Sequence, residues 1–294
     1  MMKIDYEYLS KIRRAVALYT KRKTSNILDG DFHSVHRGRS MEFDDLKEYT
    51  YGDDVHDIDW KSSSRMGSIL VRRYITDRRH NVMFICDRGL KMLGDTTSGE
   101  SKAELMMMTF GTIAYIVGRN GADFALSYSG NTHATTSIFK SGTDHLESLL
   151  YDYEKSVDSD STVPLTDTIK EVLNTVHKRM IIFILTDIEG LSSLDPGIVR
   201  SITDNNDLMI INIEDAFLTG DQVFDSDLKV YERFFLSHSK ALHEEEVRQR
   251  QEIIDGVSHT CKQLRAAMTT ISKQEDIIES VIALLERYRN GYYG

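Results

Sequence analysis

Three short runs constrain the fold of this chain more than any other feature: VMFICD at 82–87, MIIFILTD at 180–187 and DLMIINI at 207–213. A strand with water on one face alternates apolar and polar residues. These runs do not alternate, so they are expected to be buried on both faces, as in a parallel sheet covered by helices. Helical patterns lie between and after them, over 100–118, 143–154, 166–179, 194–203, 238–266 and 275–289. FALSYS (124–129) and THATTSIF (132–139), joined by Gly130-Asn131, predict a hairpin that adds one antiparallel strand. MTTIS (268–272) predicts a last short strand. Residues 81–294 are therefore expected to form an α/β domain with a mostly parallel, doubly wound six-stranded sheet. Residues 1–80 read as a separate N-terminal module. An amphipathic helix is expected over 4–22, with Leu9, Ile12, Val16 and Tyr19 on one face. A loop-rich stretch follows to about residue 67, then a strand from Ile69 to Ile75.

The bulk properties exclude several classes. Of 294 residues, 40% are hydrophobic and 28% charged, enough for a sizeable core. No apolar run approaches the length of a membrane-spanning helix. The first residues, MMKIDYEYLSKIRR, lack the apolar centre of a secretory signal. With two cysteines, Cys86 inside an apolar run, a disulfide framework is not expected, and a reducing, cytoplasmic setting is the default. The net charge of −10 is uneven: residues 1–80 carry 16 Lys/Arg against 13 Asp/Glu, and the remainder 20 against 33. The overall sign disfavours nucleic acid as a partner.

The stretch from Gly30 to Trp60 follows neither helical nor strand periodicity, yet carries Phe43, Leu46, Tyr49, Val55, Ile58 and the only Trp of the chain among many carboxylates. A long segment both charged and apolar is expected to be a built feature rather than a linker. Asp53 and Asp54 are placed to cap backbone N–H groups. Glu42, Asp59 and Arg65 are candidates for pairs with Arg37, Arg39 or Arg72. Trp60 is expected to anchor the segment by burying apolar area.

Asp87 and Asp187 each end an apolar strand, where ligands of open α/β sheets bind. With Thr166 at a helix start in PLTDT, they resemble the metal-ion-dependent adhesion site of von Willebrand factor A domains. There an Asp-x-Ser-x-Ser turn, a later Thr and a later Asp hold Mg²⁺. The two serine positions are here Gly89 and Lys91, one without a side-chain oxygen and one with a positive charge. Three readings of Lys91 stay open: its ammonium takes the cation's place, it points to solvent beside a vestigial site, or a metal still binds through Asp87, Thr166 and Asp187. Both aspartates also fit plain helix capping.

The order G-x-H-x-S…G-R-S-x-E-F-D-D-L-K-E-Y…G-D-D-V…I-D-W, followed by a strand pair ending in Asp, resembles the domain-of-unknown-function family fifty-eight. The signature positions are Gly30, His33, Ser34, Gly38, Glu42, Phe43, Tyr49, Gly52, Asp53, Asp54, Ile58, Asp59 and Trp60, with Arg65 beyond. His56 and Ser64 depart from the pattern. The resemblance implies a von Willebrand factor A-like fold of the type without membrane anchors. It further implies association with a MoxR-type AAA+ ATPase, and from these a non-enzymatic adaptor that helps mature an unknown client protein. Two other classes stand beside it. One is a metal-dependent phosphodiesterase or nuclease using the acidic residues of 42–59, although their spacing matches no recognisable ligand set. The other is a metal-dependent adhesion module, against which the missing serines count.

Overall fold

The computed structural model describes Ser10, residues 12–14, 41–51, 53–76, 80–157, 163–220, 222–225, 228, 230–233 and 239–293. The chain divides into two compact units, Val35–Arg79 and the remainder.

In the smaller unit, β1 (Met41–Glu48) and β2 (Leu70–Thr76) pair antiparallel, with α1 (Trp60–Met66) between them in sequence. The sequence predicts loop over most of this stretch. β1 escapes a period-two search because Phe43 pairs with Tyr74 and Asp45 with Arg73, leaving Asp44 in a bulge that puts two acidic residues in succession. α1 is a seven-residue helix with no buried residue; Asp59 caps its start and Gly67, at φ 74°, ends it in the left-handed conformation.

The larger unit carries the six-stranded sheet. In chain order its elements are β3 (Asn81–Cys86), α2 (Lys102–Arg119), β4 (Asp123–Ser129), β5 (Ala134–Thr136), α3 (Thr143–Val157), α4 (Leu165–Thr175), β6 (Ile181–Thr186), α5 (Ile188–Ser192), α6 (Pro196–Thr203) and β7 (Asp207–Ile213). The hairpin β8 (Gln222–Asp225) and β9 (Val230–Arg233), α7 (Lys240–Gln263), β10 (Ala267–Ile271) and α8 (Ile277–Tyr293) complete it. The strand order is β10-β7-β6-β3-β4-β5, all parallel except β5, which runs antiparallel to β4. This is the expected α/β architecture, a mostly parallel six-stranded sheet wound on both faces by helices. The expected edge strand over 132–139 shortens to three residues. Of the helix expected over 4–22, Ser10 and residues 12–14 are helical, Ile12 is buried, and the rest lies outside the described residues.

The unbroken apolar runs are explained by burial on both sides. β6 and β7 are buried at every position. On one face Met83, Ile85, Ile182, Ile184, Leu208 and Ile210 join Ile169, Leu191, Val199 and Val257 from the covering helices. On the other, Phe84 stacks on Phe183 and meets the edge of Phe110 from α2. The topology places the site. The chain leaves β3 through α2 to β4 on one side, and returns to β6 on the other. The C-terminal ends of β3 and β6 therefore flank a switch point, where a crevice opens in such sheets.

Candidate functional site at the sheet edge

Three adjacent strands run out into aspartates: Asp87 after β3, Asp187 after β6 and Asp215 two residues after β7. The Asp87 N–H donates to the Leu185 carbonyl at 2.9 Å, which holds the first two chain ends side by side. Asp87 and Asp187 are 5% and 2% exposed. Carboxylates removed from water need a counter-charge.

Two lysines supply it. The short 3₁₀ turn Leu90–Leu93 brings the Lys91 ammonium to 2.7 Å from Asp87 Oδ2 and 3.3 Å from Asp187 Oδ1. Lys102, the first residue of α2, donates to Asp187 Oδ2 at 3.0 Å, to the Lys91 carbonyl at 2.8 Å and to Asp215 Oδ1. Those three contacts use all three N–H groups of the ammonium. The remaining carboxylate oxygens are also bonded. Asp87 Oδ1 accepts from the Arg88 N–H at 3.0 Å, and Asp215 Oδ2 from the Ile188 N–H at 3.0 Å. Asp187 Oδ1 accepts further from the Gly190 N–H at 3.0 Å, and Asp87 Oδ2 from the Thr186 hydroxyl at 2.8 Å. Tyr153 donates its hydroxyl to the Asp87 carbonyl.

The electrostatics follow from this arrangement. Burial raises the pKa of Asp87; the ammonium of Lys91 works against the rise and the charge of Asp187 adds to it. Burial acts on Asp187 in the same sense, but Lys102, Lys91 and the Gly190 N–H outweigh it and hold its pKa below the ordinary carboxylate value. For Lys91 and Lys102 burial alone would lower the pKa; the carboxylates around each reverse the sign and raise it.

A divalent cation does not fit the side chains in this arrangement. Lys91 bridges the two aspartates that would hold it. A dication about 4 Å from an ammonium is disfavoured by roughly 8 kcal/mol before screening, even at an effective dielectric of about 20. Gly89 has φ 113°, a backbone region that suits glycine, so the missing serine oxygen belongs to a turn built without it. Among the described residues, no three His, Cys, Asp or Glu side chains converge as metal ligands. Thr166 is half-buried in the first turn of α4, and the hydroxyl that reaches Asp87 is that of Thr186.

Sequence reading missed Lys102, Asp215, Thr186 and Gly190. Gly190 is needed for close approach: a Cβ there would meet the Thr186 hydroxyl, and Asp87 Oδ2 at 2.6 Å. Lys102 leaves one local trace. A cation in the first turn of a helix opposes the macrodipole, which marks it as held by something else. Beside the cluster lies an open cleft of about 410 Å³ lined by Asp87, Arg88, Lys91, Ser129, Leu165 and Glu189, among others.

The signature residues lie mostly in the smaller unit and act there as local ties. Asp53 binds Lys47 at 2.6 Å and the Thr50 N–H and hydroxyl at 2.9 and 2.8 Å, and those bonds, with Lys47 foremost, lower its pKa to about 2. Asp54 accepts from the His56 N–H at 2.9 Å. Asp59 caps α1 through the Ser62 N–H at 3.0 Å and pairs with Arg72 at 3.2 Å. Ile58 bridges to Val71, the Tyr49 N–H donates to the Ile69 carbonyl at 2.8 Å, and Arg65 is exposed in the last turn of α1. Glu42 and Phe43 lie in β1 opposite Ile75 and Tyr74. Trp60 corrects an expectation: it is 68% exposed, and polar caps rather than its burial fix the segment. Gly30, His33, Ser34, Gly38 and Gly52 lie outside the described residues.

The model of the family described as "Protein of unknown function DUF58" matches residues 45–215, more than half of the chain. The chain belongs to the DUF58 family. Uncharacterised proteins of Mycobacterium bovis and Mycobacterium tuberculosis are each 24% identical over 147 residues, which cover 50% of this chain and 46% of theirs. The chain thus spans less than half the length of these relatives. Solved structures similar to it include a conserved hypothetical protein, BatB, from Bacteroides thetaiotaomicron (TM-score 0.45, 11% identity, 72% of this chain and 99% of that one). Another is a von Willebrand factor type A structure from Catenulispora acidiphila (TM-score 0.37, 10% identity, 74% and 44%). No helix among the described residues of this DUF58 member is long and apolar enough to cross a membrane.

Proposed function

We propose that this chain is a non-enzymatic, cytoplasmic adaptor that binds a MoxR-type AAA+ ATPase and helps mature a client protein. The observation that carries the non-enzymatic part is the closure of the sheet edge. Every carboxylate oxygen of Asp87, Asp187 and Asp215 accepts a bond from a lysine, a hydroxyl or a backbone N–H, so none is set to activate water or a nucleophile. The same bonds fix the edge rigidly beside an open polar cleft, which suits recognition of a protein surface. The choice of ATPase rests on the DUF58 membership. The rival phosphodiesterase loses ground because Asp53, Asp54 and Asp59 are used as caps and ion pairs. The buried, unpaired thiols of Cys86 and Cys261 suit a reducing compartment.

Pull-down of the full chain with a purified MoxR-type AAA+ ATPase of the same organism, in ATP, in ADP and without nucleotide, tests the partnership. Association that changes with nucleotide is expected. No association in any state would overturn it, and phosphodiester hydrolysis abolished by Asp59→Asn would move the function to the rival class.

A further inference from the structure

We propose that Lys91 and Lys102 together replace a divalent cation, so that this sheet edge is a latent cation site closed by two of the chain's own ammonium groups. The inference rests on the cluster geometry and stands independently of the ATPase partnership.

Charge is the first argument. Two ammonium groups carry the charge of one dication, and they are set among three carboxylates. Placement is the second. Lys91 Nζ bridges Asp87 and Asp187, at 2.7 and 3.3 Å, as a shared ion would. Lys102 Nζ bridges Asp187 and Asp215 and takes the carbonyl of Lys91, which ties the two substitutes to each other. The atoms that bond the two ammonium groups are oxygens of the three carboxylates and one backbone carbonyl. That all-oxygen set is what hard cations such as Mg²⁺ and Mn²⁺ take.

The third argument is that neither lysine is where lysines ordinarily lie. Lysine side chains are seldom buried without a partner. Here the side chain of Lys102 is 4% exposed and that of Lys91 25%. Lys102 also stands at the positive end of α2, where the macrodipole opposes it. Lys91 lies in the 3₁₀ turn that follows Gly89, which brings its ammonium between the two aspartates. The disfavoured placement of both groups is offset by the carboxylates they neutralise. It follows that ligand binding at this edge needs no metal.

Thermal melts and calorimetric titration with Mn²⁺ test the proposal on the full chain. The proteins compared are the native chain, Lys91→Met with Lys102→Met, and that double variant with Asp187→Asn added. Methionine keeps the length of the side chain and removes its charge. Millimolar Mn²⁺ is expected to leave the native melting temperature unchanged, to raise that of the double variant saturably, and to lose this effect with Asp187→Asn. Asp187-dependent Mn²⁺ binding by the native chain would overturn the proposal. So would a folded double variant indifferent to Mn²⁺. Should the double variant not fold even with Mn²⁺, nitrogen-15 spectra of the native lysine side chains decide. Two slowly exchanging ammonium signals are expected, one lost in each single methionine variant. Their absence from the native spectrum would mean that the ammonium groups are not held, and would overturn it equally.

Discussion

Lys102, at the first position of α2, places its ammonium 3.0 Å from a carboxylate oxygen of Asp187, 85 residues further along the chain. That single pair joins the start of the helix over one face of the sheet to the end of β6. It also fixes the orientation of Asp187, whose other oxygen faces Lys91 at 3.3 Å. Removing one partner of a buried pair leaves an uncompensated charge, at a cost of about 3–5 kcal/mol. Lys102→Met is therefore expected to destabilise by an amount in that range. Lys91→Met is expected to cost less, because its side chain is 25% rather than 4% exposed. Urea unfolding of the two variants measures the difference, and equal losses would contradict the ranking.

The pH dependence of stability has a definite sign. The depressed pKa of Asp187 stabilises the fold at pH values above its unfolded pKa of about 3.9, and this is lost as pH falls through the folded value. The raised pKa values of Lys91 and Lys102 stabilise it below about pH 10.4 and are lost as pH rises through the folded values. Asp87, whose pKa is raised, acts the other way: its contribution is present below its unfolded pKa and is withdrawn as pH rises. Asp187→Asn is therefore expected to cost more than Asp87→Asn at pH 7, with the gap closing below about pH 4. Urea midpoints for both variants across acid and neutral pH give the comparison.

Gly190 has no room for a side chain. An added Cβ would press on the Thr186 hydroxyl and lie 2.6 Å from Asp87 Oδ2. Gly190→Ala is expected to destabilise by about 1–3 kcal/mol through overpacking and to break the Thr186–Asp87 hydrogen bond. Thermal melts of Gly190→Ala and of Thr186→Val separate the two contributions.

Trp60 is 68% exposed. Trp60→Ala is expected to change stability by no more than about 0.5 kcal/mol, as for other surface substitutions. Native fluorescence is expected to resemble tryptophan in water and to move little on unfolding. A large loss of stability would show that this ring is covered.

How much of this was readable from sequence depends on where each partner lies. β3, β6 and β7 were legible because burial on both faces writes itself as an unbroken apolar run. Asp87 and Asp187 were legible because they end those runs, and Lys91 because it lies four residues from Asp87. Lys102 and Asp215 were not. Their shared contact spans 113 residues, and the one local trace, a cation in the first turn of α2, does not reveal its partner. Thr186 is the last residue of an apolar strand, where a polar residue reads only as the strand's end. β1 was lost to the bulge at Asp44, which breaks the alternation a strand search follows. The signature segment was recognisable by its order of residues, but the order does not reveal that Asp59 caps α1 while Trp60 beside it stays exposed.

Anomalous diffraction from Mn²⁺-soaked crystals of the native chain tests the central claim most directly. The account predicts no anomalous peak between Asp87 and Asp187, with density for the Lys91 ammonium in that position. A manganese ion coordinated by both aspartates, with Lys91 turned away, would contradict it and restore the open metal site.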